Sequence, residues 1–171
     1  MSKIVFPEGI KSIGNYAFNS CTSLAEIDLP ESLRSIGHDV FAECSSLKSA
    51  RIPGGIKNVG AYMFQRCTAL TDVYLEEGLE EIGDTMFMQC SSLKQIDIPD
   101  SVKKVGSGAF TYCSGLTRID IPKSVLTIEP NIVQYFSECN NLTRINVDPD
   151  NPVYSSEDGV LFSKDKETLI C

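Results

Sequence analysis

Seven cysteines, one histidine and two acidic turns are the residues of this 171-residue chain with the most chemistry to offer. Thiols can pair as disulfides, bind a metal or, once deprotonated, attack a substrate. Six of them, Cys21, Cys44, Cys67, Cys90, Cys113 and Cys139, stand at intervals of 23, 23, 23, 23 and 26 residues. None has a second Cys or His within a few residues, as a tetrahedral metal site requires. Nucleophilic catalysis needs a base beside the nucleophile, and the sole histidine, His38 next to Asp39, reads as an exposed residue. Asp148-Pro149-Asp150-Asn151 and Glu157-Asp158-Gly159 carry oxygens that Ca2+ could use, but they lack calcium-loop spacing and are rich in turn formers. Gly14, Gly37, Gly60, Gly83 and Gly106 recur singly, a backbone role as strand-to-helix turns rather than a phosphate loop. The expectation is a non-enzymatic protein with no cofactor.

The cysteine intervals carry the stronger signal, because a fixed period of this length marks a solenoid. Phe18, Phe41, Phe64, Phe87, Phe110 and Phe136 each precede a cysteine by three residues, and Leu24, Leu47, Leu70, Leu93, Leu116 and Leu142 each follow by three. Together with the six cysteines they form the predicted core ladder. Pairs such as Ile27 and Leu29 or Ile96 and Ile98 come next, then Pro7, Pro30, Pro53, Pro99 or Pro122, an aliphatic residue, and an Ile/Val-Gly pair. Glu76 stands where Pro is expected and Ala50 where a larger aliphatic belongs, and Met63 is expected to fill the space Ala50 leaves.

Within a coil, Ile27-Asp28-Leu29 alternates as a half-buried strand closed by Pro30. Leu33 and Ile36 belong to a second extended piece, and Val40, Phe41 and Cys44 have helical spacing. The predicted fold is an α/β right-handed solenoid of about six 23-residue coils, with a parallel sheet on one face and short helices on the other. Equivalent residues then lie about 4.8 Å apart. Their parallel Cα–Cβ vectors resist disulfide geometry, so the ladder cysteines read as reduced, buried thiols. In the sixth coil Pro130 and Asn131–Tyr135 are expected to lengthen the helix.

The frame C-x-x-L-x-x-I-x-I-P-x-x-V-x-x-I-G-x-x-A-F-x-x-C, followed almost position by position in Cys90–Cys113, resembles the BspA-like (Treponema pallidum type) leucine-rich repeat family. The resemblance covers residues 4 to about 147, so residues 1–147 read as a repeat array that begins inside a longer one. Residues 148–171 resemble the family's atypical hairpin unit, with Val160–Phe162 and Leu169–Cys171 as its strands and Cys171 as the most accessible thiol. The resemblance implies a surface or secreted bacterial protein with a role in adhesion.

Outward strand positions should align into two rows. One holds Glu26, Ser49, Asp72, Gln95, Arg118 and Arg144, the other Asp28, Arg51, Tyr74, Asp97, Asp120 and Asn146. They vary while the core repeats, as a recognition surface does, and Tyr74 beside Arg51 suits a protein contact. Tyr is equally a good strand former, and mixed polar residues keep a sheet face wet. A third row, Lys11, Arg34, Lys57, Glu80 and Lys103, either steers an anionic partner or deters edge association. The net charge of -8 opposes nucleic-acid and anionic-membrane partners, and no apolar run is long enough to span a membrane. The expected partner is a protein or glycan, with weak self-association through an uncapped end near Ile4, Phe6, Ile10 and Ile13. The alternative is a passive spacer or oligomerisation segment within a larger surface protein.

Overall fold

The computed structural model describes residues 2–129, 136 and 138–171. Its strands are β1 (Ser12–Ile13), β2 (Glu26–Asp28), β3 (Ser35–Ile36), β4 (Ser49–Ile52), β5 (Asp72–Leu75), β6 (Glu81–Ile82), β7 (Lys104–Val105), β8 (Arg118–Ile121), β9 (Thr127–Ile128), β10 (Arg144–Val147), β11 (Tyr154–Glu157) and β12 (Val160–Ser163). The chain is a β-solenoid of about six turns, matching the predicted period of 23 residues.

Two parallel ladders run along it. The inner extended pieces pair without a break from β1 through β3, the Ile36–Val59 and Asn58–Glu81 bridges, β6 and β7 to β9. The outer strands form two blocks, β2-β4-β5 and β8-β10. Between the blocks, Gln95–Ile98 makes no ladder pair, although QIDI alternates as well as any strand in the sequence. Inside the blocks alternation does what it should: Ile27, Ala50, Ile119 and Ile145 are buried between exposed or half-exposed neighbours. Proline ends most of these strands because it has no N–H to donate. Where Glu76 and Asp148 replace it, the N–H adds a rung, to Ile52 O at 3.1 Å and to Ile121 O at 3.0 Å.

The third side of each coil corrects the prediction of short helices. Val40, Phe41 and Cys44 do point inward, but among the described residues no helix forms. Tyr16, Asp39, Tyr62 and Thr85 share one register with φ between 50° and 61°, and Gly108 continues it at 65°. Ser20, Glu43, Arg66, Gln89, Tyr112 and Glu138 share a second, at 58–63°. Two left-handed residues per coil are incompatible with a right-handed helix. They turn alternate amides toward the next coil, so Phe18 N–H donates to Val40 O at 3.0 Å, Phe41 to Met63 at 3.0 Å, Phe64 to Met86 at 2.9 Å and Phe87 to Ala109 at 2.9 Å. A helix would have sent those donors four residues back along its own chain. Pro130 and Asn131–Tyr135, expected to lengthen the sixth helix, lie outside the described residues.

The core is the row structure itself. Phe18, Phe41, Phe64, Phe87, Phe110 and Phe136 stack with ring centroids 5.5–6.1 Å apart and planes within 13° of parallel. The four inner rings are fully buried, each contributing about 1.5–3 kcal/mol of hydrophobic stabilisation. Leu24, Leu47, Leu70, Leu93 and Leu116 are fully buried, while the end members Phe18, Cys21, Phe136 and Leu142 are only half-buried. Met63 is fully buried in the same cluster as Ala50, as space filling requires. Gly37, Gly60, Gly83 and Gly106 serve close approach rather than a strand-to-helix turn: a Cβ on Gly60 would lie 2.2 Å from Gly37 O, whereas one on Gly14, in the first coil, would meet nothing within 4 Å.

After β10 the chain folds back onto the last coil. Asn151 is fully buried, donating to Pro122 O and Val125 O and accepting from the amides of Val153 and Tyr154, all within 2.8–2.9 Å. Tyr154 Oη accepts from Ile128 N–H at 2.9 Å. The predicted Val160–Phe162 and Leu169–Cys171 pairing is present, with Phe162 bridging Leu169 and Leu161 N–H donating to Cys171 O at 2.7 Å. Strand β11 completes this unit by pairing antiparallel with β12 across Asp158-Gly159, whose positive φ angles of 50° and 84° suit a two-residue hairpin turn.

Candidate binding face

Every outward strand residue singled out from the sequence is at least half-exposed. Parallel pairing sets Glu26, Ser49 and Asp72 in line, and Asp28, Arg51 and Tyr74 beside them. Arg118 aligns with Arg144, and Asp120 with Asn146, in the second block. Gln95 and Asp97 sit in the break between the blocks, lining with Asp72 and Tyr74 a depression of about 130 Å³. A larger depression of about 380 Å³ opens beside Asp97, Asp120, Asn146 and Asp148. Tyr74 is 61 % exposed, standing out from a face of otherwise polar side chains.

Arg51 proves to be tied down. Its guanidinium binds Glu31 and Glu76, lies 3.6 Å from Asp28 and is within 3.5 Å of Leu29 O. These contacts raise its pKa, the Glu31 hydrogen bond foremost. Glu76 is held below the usual carboxylate range, first by the Gly54 amide at 3.1 Å and then by Arg51. Glu31 and Glu76 lie outside the alternating strand positions, so the outward rows omit them, and Glu76 in place of proline was the available signal. In the second block Arg118 Nε binds Asp120 Oδ2 at 2.9 Å, and Asn146 donates to Asp120 Oδ1 at 2.6 Å.

The basic row is interrupted as well. Glu80 carboxylate oxygens lie 3.0 Å from Lys57 and 3.5 Å from Lys103, while Arg34 donates to the carbonyls of Glu31 and Leu33. His38 is exposed, its ring tilted against Tyr16 at 6.2 Å. The acidic stretches are turns: Asp148 Oδ1 accepts from the Asp150 amide at 2.8 Å.

The thiols are more than apolar filling. Cys44 Sγ donates to Phe18 O, Cys67 to Phe41 O, Cys90 to Phe64 O, Cys113 to Phe87 O and Cys139 to Phe110 O, all at 3.1–3.3 Å. All seven cysteines are unpaired. Burial pushes Cys44, Cys139 and Cys171 up to about 11 and raises Cys67, Cys90 and Cys113 further. Such thiols are poor nucleophiles at neutral pH. Cys171, read as the most accessible thiol, is half-buried and shares that exposure class with Cys21.

The model of the BspA type leucine rich repeat region matches residues 1–117 and 69–163. The chain belongs to this family. Among solved structures, this BspA-type chain is similar to a leucine-rich repeat protein from Bacteroides ovatus, with 31% identity, a TM-score of 0.72, 84% of this chain and 36% of that one. It is similar to a leucine rich cell surface protein from Faecalibacterium prausnitzii, with 25% identity, a TM-score of 0.68, 99% of this chain and 54% of that one. A leucine rich repeat protein of T. pallidum aligns at 26% identity and TM-score 0.55, over 84% of this chain and 57% of that one. The BspA-type chain therefore spans between about a third and somewhat over half of those proteins. No curated protein matches it.

Proposed function

We propose that this BspA-type array is a non-enzymatic recognition scaffold of a bacterial surface or secreted protein, and that its outer strand face engages a macromolecule in adhesion. The observation that carries the reading is the contrast on each outer strand: repeated apolar side chains inside, and outside a set that changes from coil to coil around the exposed Tyr74. An aromatic ring among polar side chains is the composition of protein contact centres. The name of the F. prausnitzii relative, a cell surface protein, supports the location.

The test uses labelled chain and intact host epithelial and bacterial cells, scored by flow cytometry. Replacing Asp72, Tyr74 and Asp97, all exposed, with alanine leaves the core untouched and should reduce cell binding about tenfold. Equal binding by parent and variant would favour a passive spacer.

A further inference from the structure

The charges on the outer face divide into those already engaged and those left over. Of its carboxylates, Asp28 lies in the Arg51 cage and Asp120 is paired with Arg118. The cage sets three carboxylates around one guanidinium and remains net negative. Among the described residues, Glu26, Asp72 and Asp97 form no ion pair; Lys3 lines the depression beside Glu26 without reaching ion-pair distance. Among the described residues Arg144, at the far end of its row, forms no ion pair. The acids without an ion pair thus centre on Tyr74, with Asp72, whose Oδ2 accepts from Thr71 Oγ1 at 2.7 Å, two residues before it and Asp97 across the small depression.

The same place is where the ladder opens. No backbone hydrogen bond joins Gln95–Ile98 to the strand on either side, so carbonyl oxygens that interior strands normally commit are unengaged there. Asp72, Asp97 and these carbonyls therefore outnumber Lys94, the exposed base next to Gln95, around an exposed ring. Lysine and arginine side chains are purely donors, carry positive charge and bind over the face of a tyrosine. A depression of about 130 Å³ has room for the end of one such side chain.

We propose that the partner of this face is a basic protein segment that places a lysine or arginine between Tyr74, Asp72 and Asp97. This rests on the strand face being the binding surface. Charge complementarity selects the occupant, since an acidic segment or sulfated glycan would meet unpaired carboxylates.

The experiment titrates the full chain with three short fluorescent peptides, alternating lysine and serine, glutamate and serine, or glutamine and serine, at about 0.05 M and about 0.5 M salt. The lysine peptide should bind most tightly and weaken with salt. Asp72→Asn/Asp97→Asn should lower its affinity about tenfold, Tyr74→Ala about threefold, and Tyr74→Phe should match the parent. Glu8→Gln/Glu167→Gln, the same charge change at exposed sites off the face, should leave affinity unchanged. Parent-like binding by Asp72→Asn/Asp97→Asn, or an equal loss in Glu8→Gln/Glu167→Gln, overturns the proposal. Binding of the glutamate or glutamine peptide that is lost with Tyr74→Ala, without a response of the lysine peptide to Asp72→Asn/Asp97→Asn, keeps the binding face and removes the basic partner. If no peptide responds to Tyr74→Ala, both fall.

Discussion

The turn side and the strand side of this solenoid solve stacking differently. On the turn side, coil-to-coil bonds repeat from Tyr16 to Gln89 at one register, over a stack of rings and a file of thiols that donate to the preceding coil. On the strand side, the ladder breaks at Gln95–Ile98 and the outward pair of residues differs from each coil to the next. The turn side, together with the unbroken inner ladder, holds the coils together, which leaves the outer strand face free to vary and to open.

The largest effect that sharpens this contrast is a pair of truncations. Phe87→Ala removes a fully buried ring from the middle of the stack and should cost about 3–5 kcal/mol in urea unfolding. Tyr74→Ala, on the strand side, should stay within about 0.5 kcal/mol. Similar losses from both would dissolve the distinction between holding side and free side.

The thiol file predicts a pH dependence confined to the alkaline range. The folded state keeps protons on Cys44 and Cys139 up to about 11, whereas the ordinary thiol value is 9.0. A raised folded value means stability is fully present below the unfolded value and is lost as pH climbs through the folded one. The thermal midpoint should therefore decline from about pH 9 toward pH 11 more steeply than in Cys67→Ala/Cys90→Ala, once each is referred to its own midpoint at pH 7. Parallel curves would mean the thiols are not sequestered.

A smaller effect tests the turn geometry. Thr85 is β-branched at φ 50°, where the next coil has Gly108, and its hydroxyl is buried without a partner among the described residues. Thr85→Gly should stabilise by about 1 kcal/mol in the same urea assay, against the usual sign for glycine. Destabilisation would show that this register is not left-handed.

These contrasts also explain what the sequence disclosed. Phe, Cys and Leu rows were legible because each residue faces its own copy one coil away, so a single period records the contact. The turns were misread because Val40, Phe41 and Cys44 have the spacing of a helix face, while the left-handed positions are filled by Tyr, Asp and Thr as well as Gly. Nothing in Gln95-Ile96-Asp97-Ile98 marks the ladder break, since strand pairing depends on neighbouring coils and not on the segment's own alternation. Arg51 was legible as an outward residue but not as a caged one, because Glu31 and Glu76 reach it from beyond the alternating rows.

Amide hydrogen exchange followed residue by residue measures this division directly. The amides of Phe41, Phe64 and Phe87, bonded to the next coil at 2.9–3.0 Å, should exchange only on unfolding that releases the coils. Those of Gln95, Ile96 and Asp97 should exchange orders of magnitude faster under native conditions. Fast exchange at the phenylalanines together with protection across Gln95–Asp97 would contradict a solenoid held by its turns and open on its strand face.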